Sequence, residues 1–177
     1  MKVDNELRSW LRIKTPTFLN KLRSIEIMND RGLLAWSKEE PRFRYQPKTD
    51  FDGSGMCKIA SAALAEGIVN KFGDKVTITA ITREVPRLGF SHQVIRVTRN
   101  DSSMTVESTH RQIRPKAKAS ILVFPSEHEA KLYRGGQEVK QTPYNILTNE
   151  VRDYISHRVY SGISLNDFDA LVSTLKD

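Results

Sequence analysis

The chain has 177 residues, 38% of them hydrophobic, and a single cysteine. A length of this order fits one domain with its own core, and a lone cysteine excludes an intramolecular disulfide, so a reducing compartment is expected: the cytoplasm, its own or that of a host cell into which the protein is delivered. Twenty-eight lysines and arginines against 21 aspartates and glutamates leave a net charge of +7, the cations scattered rather than gathered in a tail, and neither a signal peptide nor a membrane span is read in the sequence.

In "DNELRSWLRI" and "TPTFLNKLRSIEIM" the apolar residues Leu7, Trp10, Leu11, Phe18, Leu22 and Ile25 keep to one helical face. With Thr15 as a cap and Pro16 as a first helical residue, the pattern predicts two short helices with a break near Lys14. The charged, proline-bearing stretch "SKEEPRFRYQPKTDFDGSG" predicts an exposed connection leading to Cys57. From Cys57 onward, Ile59, Ala60, Ala63, Leu64, Ile68 and Phe72 mark a helix closed by Gly73, whose small alanine face can lie close against a sheet.

Alternation in "KVTITAIT", "HQVIRVT" and "SMTVEST" predicts three strands, the last two joined by a turn at "RNDSS". A fourth strand at "SILVFPS", a hairpin "AKLYRGGQEVK" turning at Gly135 and Gly136, and helices at "PYNILTNEVRDYISHRV" and "SLNDFDALVSTL" complete the chain. The expected fold is α+β: a central antiparallel sheet with a cysteine-headed helix packed on it, flanked by N- and C-terminal helices. It is read as one domain, with residues 1–52 a helical segment and connection, 53–115 the chemical core, and 116–177 the remaining strand, hairpin and helices.

A thiol at a helix N-terminus meets the positive end of the helix dipole and unpaired amides, which favour the nucleophilic thiolate. The amides of Cys57 and of the Met56 backbone could also hold an oxyanion, and Gly53, Ser54 and Gly55 would let a substrate backbone approach. A nucleophilic cysteine needs a base and a group that orients the base. Among the four histidines, His92, His110, His128 and His157, His92 opens a strand whose hairpin partner carries Glu107. A turn of two or four residues at "RNDS" brings Glu107 to the face of His92, and a turn of three brings Ser108 and His110 instead. Glu107 is the preferred orienting group.

The element order and spacing in "GMCKIASAALAEGIV...GFSHQVIRVTRNDSSMTVESTHRQIRP" resemble the transglutaminase-like branch of the papain-like superfamily, including the bacterial transglutaminase-like cysteine proteinases, over residues 53–115. The resemblance implies a triad of Cys57, His92 and Glu107 acting on an amide or thioester carbonyl of a protein substrate. That activity would be a thiol protease or other cysteine-dependent hydrolase, a glutamine deamidase, or an acyl transferase of the transglutaminase type. Met56 and Lys58 stand where that bacterial group carries acidic residues, and Glu107 stands for an aspartate. Papain-like enzymes complete the oxyanion hole with an upstream polar or aromatic side chain, for which Gln46 and Tyr45 are the nearest candidates.

Neither a cysteine pair nor metal-ligand histidine spacing is present, so no metal and no cofactor is expected. A basic segment, Arg111, Arg114, Lys116 and Lys118, offers the alternative of a noncatalytic binding protein contacting nucleic acid or an acidic partner. Nucleic acid is the less favoured partner, because aromatic residues for base stacking are not interleaved with these charges, and the net charge suits an acidic protein substrate.

Overall fold

In the computed structural model, the described residues are 2–40, 42, 45, 46, 55–86, 90–157 and 162–177. The first helix, α1 (Lys2–Glu39), runs without a break through Pro16. The expected break near Lys14 is therefore corrected. Leu11 and Phe18 are two helical turns apart, so a straight helix keeps Leu7, Trp10, Leu11, Phe18, Leu22 and Ile25 on one buried face, and burial of that whole stripe outweighs the hydrogen bond that a mid-helix proline forfeits. Next to the proline, the Thr15 hydroxyl donates to the Leu11 carbonyl at 2.7 Å. The connection that follows lies largely outside the described residues; within it, Gln46 is exposed and Tyr45 half-buried.

Helix α2 (Cys57–Phe72) starts at the cysteine and ends where Gly73 takes a left-handed φ of 61° and its N–H donates to the Val69 carbonyl. Strands β1 (Thr77–Val85), β2 (Phe90–Arg99), β3 (Ser102–Glu107), β4 (Leu122–Pro125) and β5 (Glu138–Pro143) form one antiparallel sheet in the order β4-β3-β2-β1-β5. The fold is thus α+β, with the sheet flanked by α1 on the N-terminal side and by α4 (Tyr144–His157) and α5 (Leu165–Ser173) on the C-terminal side. A Ser164–Asp167 capping box starts α5.

Side-chain alternation splits the sheet into two faces. Ile78, Ala80, Ile95, Val97, Met104 and Val106 point into the large core that also holds α1, α2, α4 and α5. Ile81, Val85 and Val94 point the other way and pack on Tyr133. That second face is covered by a 3-10 turn at Ser126–His128 running into a single helical turn, α3 (Glu129–Leu132). The expected hairpin at Gly135 and Gly136 is a correction here. The chain instead closes α3 with the Gly135 N–H donating to the Ala130 carbonyl at 2.8 Å, Gly135 at φ 78°, and only then enters β5, which pairs with β1. A glycine just past a helical turn is a helix stop as readily as a hairpin signal, and the burial of Tyr133 and Glu129 decides for the helix.

The seat of α2 depends on one small residue. A Cβ on Gly67 would stand 2.8 Å from the Cβ of Leu175 and closer still to its Cδ1, so the C-terminal turn after α5 rests directly on the α2 backbone. Gly67→Ala gains roughly 1 kcal/mol of helix preference and meets an overpacking cost of about 1–3 kcal/mol. The expected outcome is a net loss of stability, read as a lower urea midpoint, whereas in a Leu175→Ala background, itself destabilised by the loss of a buried side chain, the same Gly67→Ala change no longer lowers the midpoint.

Candidate active site

The hairpin between β2 and β3 sets the geometry. Arg99 pairs with Ser102 across a two-residue turn, Asn100 at φ 45° and Asp101 at φ 61°, residue types that accept the left-handed conformation such a turn demands. Pairing of Ile95 with Val106 then places Glu107 opposite Val94, diagonal to His92 and on the same face. His92 and Glu107 are 1% and 2% exposed, and His92 Nε2 lies 2.5 Å from Glu107 Oε2. With a carboxylate as its partner, Nε2 is the donor.

Glu107 is saturated with donors. Its Oε1 accepts from the Thr109 N–H at 2.7 Å and the Thr109 hydroxyl at 3.0 Å, and its Oε2 accepts from the Tyr133 hydroxyl at 2.8 Å as well as from His92. Burial pushes its carboxyl upward, but the His92 charge and hydrogen bond, then the Thr109 and Tyr133 donors, hold it below the usual carboxylate range. Burial likewise works against the His92 cation. The Glu107 carboxylate, assisted by interactions with Cys57, overcomes that and pushes the imidazole up to about 10. Nδ1 of His92 is buried and has no hydrogen-bond partner of standard geometry, so with Nε2 engaged by Glu107 it is the nitrogen left to face the thiol.

The approach of Cys57 follows from a gap in the sheet. Pairing of β2 with β3 starts at Ile95, so the beginning of β2 runs past the end of β3, and there the Ser61 hydroxyl of α2 donates to the Gln93 carbonyl at 3.2 Å. The head of α2 thus lies against the open edge of β2, next to His92. Cys57 is half-buried, and Met56, the residue before it, is buried and supplies no side-chain cap to the first-turn amides. Lys58 is drawn away to Glu150 of α4 at 3.2 Å.

Other residues expected at the site are placed differently. Gly53 and Ser54 lie outside the described residues, and Gly55 is an exposed turn residue at φ 78°. The Tyr45 hydroxyl donates to Asp30 of α1, and burial together with that carboxylate pushes its pKa up to about 12, so service in an oxyanion hole would require breaking this bond. His110, brought to hand only by an odd turn, instead pairs its Nε2 with the Lys118 carbonyl at 3.1 Å. Arg114, Lys116 and Lys118 are exposed on the turns that follow, while Arg111 is half-buried and donates to the Pro115 carbonyl at 3.4 Å. Among the described residues, no group of three or more His, Cys, Asp or Glu side chains gathers as a metal site, and no helix is long and apolar enough to cross a membrane.

Sequence reasoning missed Tyr133 and Thr109. Thr109 is two residues beyond Glu107, the local reach of a side chain to a nearby backbone N–H, and was discoverable on that ground. Tyr133 arrives from a distant segment, and its only signal is an aromatic residue just ahead of a glycine pair. No family model matches the chain, and neither a curated protein nor a solved structure matches it.

The pair makes stability depend on pH in a definite sense. A raised histidine contributes stability that is complete below its unfolded value of about 6.5 and is lost as pH rises toward about 10; a lowered glutamate contributes above its unfolded value of about 4.3 and loses that contribution as pH falls. In a Cys57→Ala background, which removes thiol titration, the unfolding free energy should therefore fall relative to the His92→Gln/Glu107→Gln variant as pH rises above about 6.5, at no more than about 1.4 kcal/mol per unit. A flat difference across that window would mean that His92 is neutral in the folded protein.

Proposed function

We propose that the protein is a thiol-dependent amide hydrolase or acyl transferase, a relative of the papain-like, transglutaminase-like enzymes, acting on a protein substrate. The observation that carries this reading is the position of His92: buried, fixed through Nε2 to a fully hydrogen-bonded Glu107, and left with a free Nδ1 beside the cysteine that heads α2. A nucleophile, a base and a group that orients the base are the parts that cysteine acyl chemistry requires.

In this mechanism His92 is the imidazolium at working pH, with the proton shared with Cys57 lodged on Nδ1, and Glu107 stabilises that cation and fixes the ring. The thiolate attacks the carbonyl carbon, a C–S bond forms, and the carbonyl electron pair moves onto oxygen, where the first-turn amides of α2 donate to it. Collapse expels the amine, which takes the proton from His92, and leaves a thioester on Cys57. Water, deprotonated by His92, then gives hydrolysis or deamidation; a primary amine gives acyl transfer. The net charge of +7 favours an acidic protein as substrate, through an attraction that salt would weaken.

The test is the pH dependence of Cys57 alkylation by iodoacetamide. The wild type should label rapidly at about pH 6, where an ordinary thiol is almost wholly protonated, and His92→Gln should label at least tenfold more slowly there, with Glu107→Gln between them. An ordinary thiol profile that ignores both substitutions would overturn the proposal and make Cys57 a structural residue.

A further inference from the structure

Tyr133 is among the largest fully buried side chains, yet its placement is not explained by packing alone. It ends α3, and two separate ties fix the segment that carries it. On one side Glu129, itself fully buried, accepts from Arg83 Nε at 3.0 Å, from Arg96 Nε at 3.3 Å and Nη2 at 3.0 Å, and from the Thr105 hydroxyl, which joins α3 to β1, β2 and β3. On the other side Gly136 packs so tightly on the Glu84 carbonyl that a Cβ could not be accommodated, and its own carbonyl accepts from Arg83 Nη1 at 2.5 Å. Between these ties the Tyr133 ring lies 5.7 Å from the His92 ring at 45°, beneath the Arg83 guanidinium at 5.9 Å, and its hydroxyl meets the same Oε2 of Glu107 that His92 uses.

We propose that Tyr133 is a positioning residue: its hydroxyl holds Oε2 of Glu107 in the orientation that meets Nε2 of His92, and the buried Glu129–Arg83–Arg96 cluster fixes where that hydroxyl stands. The inference rests on the Cys57–His92–Glu107 reading for its catalytic meaning. Two donors at one oxygen and two at the other leave the carboxylate no alternative rotation that keeps all four bonds. Among the described residues, the titratable and charged groups around this contact are His92, Cys57, Arg83, Glu129 and His110. Burial and then the Glu107 charge push the Tyr133 phenol well above its usual range, so it remains a donor throughout the working pH. Loss of its hydrogen bond takes away one of the donors that hold the Glu107 carboxyl low.

The experiment follows the His92 ring resonances by NMR through an acid titration of the full chain carrying Cys57→Ala, with tyrosine, phenylalanine or 3-fluorotyrosine at position 133. The acid-side step reports Glu107 taking up a proton. Tyr133→Phe keeps the ring and should move that step upward by roughly half a unit to one unit, whereas 3-fluorotyrosine, a stronger donor, should move it downward. Opposite shifts establish the link, because a purely structural tyrosine would not give shifts of opposite sign; an unchanged step in both overturns it. If Tyr133→Phe fails to fold, the fluorinated protein alone decides. No thiol takes part in this titration, so its failure is separate from the failure of the catalytic reading, which alkylation of Cys57 decides.

Discussion

Two carboxylates, Glu107 and Glu129, lie fully buried under the same face of the sheet, and much of the architecture on that side follows from the need to keep them compensated. Removing a carboxylate from water costs several kcal/mol unless charge and hydrogen bonds replace the lost hydration. Glu129 is met by two guanidinium groups and a hydroxyl, drawn from three adjacent strands. Among the described residues, no arginine hydrogen-bonds to Glu107. Its counter-charge is His92, and its remaining lone pairs are filled by Thr109 and Tyr133. The difference matters chemically, because an arginine remains charged at any working pH, while an imidazole can release and recover a proton. One carboxylate is therefore met by fixed charges, the other by a partner that can titrate.

The two sites are connected through the covering segment. Arg83 neutralises Glu129, caps the Tyr133 ring and pairs in the sheet with His92, so it touches both the Glu129 cluster and the surroundings of His92. The other face of the sheet is ordinary core, with the alanine-rich α2 pressed against β2 and the C-terminal turn against Gly67. The head of α2, with Cys57, comes near His92 where β3 stops short and leaves the beginning of β2 open.

Much of this order could be read from residue patterns. The alternating strands, the alanine-faced α2 and the capping box of α5 are local signals, and local signals survive without a structure. Pro16 reads locally as a helix start, whereas the buried stripe from Leu7 to Ile25 spans it and keeps α1 continuous. The shared face of His92 and Glu107 was readable once an even turn was assumed, since strand parity then does the rest. The partners of Glu107 and Glu129 were mostly illegible: Tyr133, Arg83 and Arg96 come from segments far apart in sequence, and only the way the covering segment lies on the sheet brings them together.

The Asn100–Asp101 tip bears on how this chain can change over time. Every residue of β3 owes its side of the sheet to the number of residues in that tip, although the tip itself is remote from the thiol and from both carboxylates. Gaining or losing one residue there would exchange the two faces of β3, turning Glu107 into the apolar core and Val106 toward His92, whereas a change of two would preserve both. Lineages that keep the site should therefore tolerate length differences at this surface loop only in even steps, a constraint imposed from outside the site by counting alone.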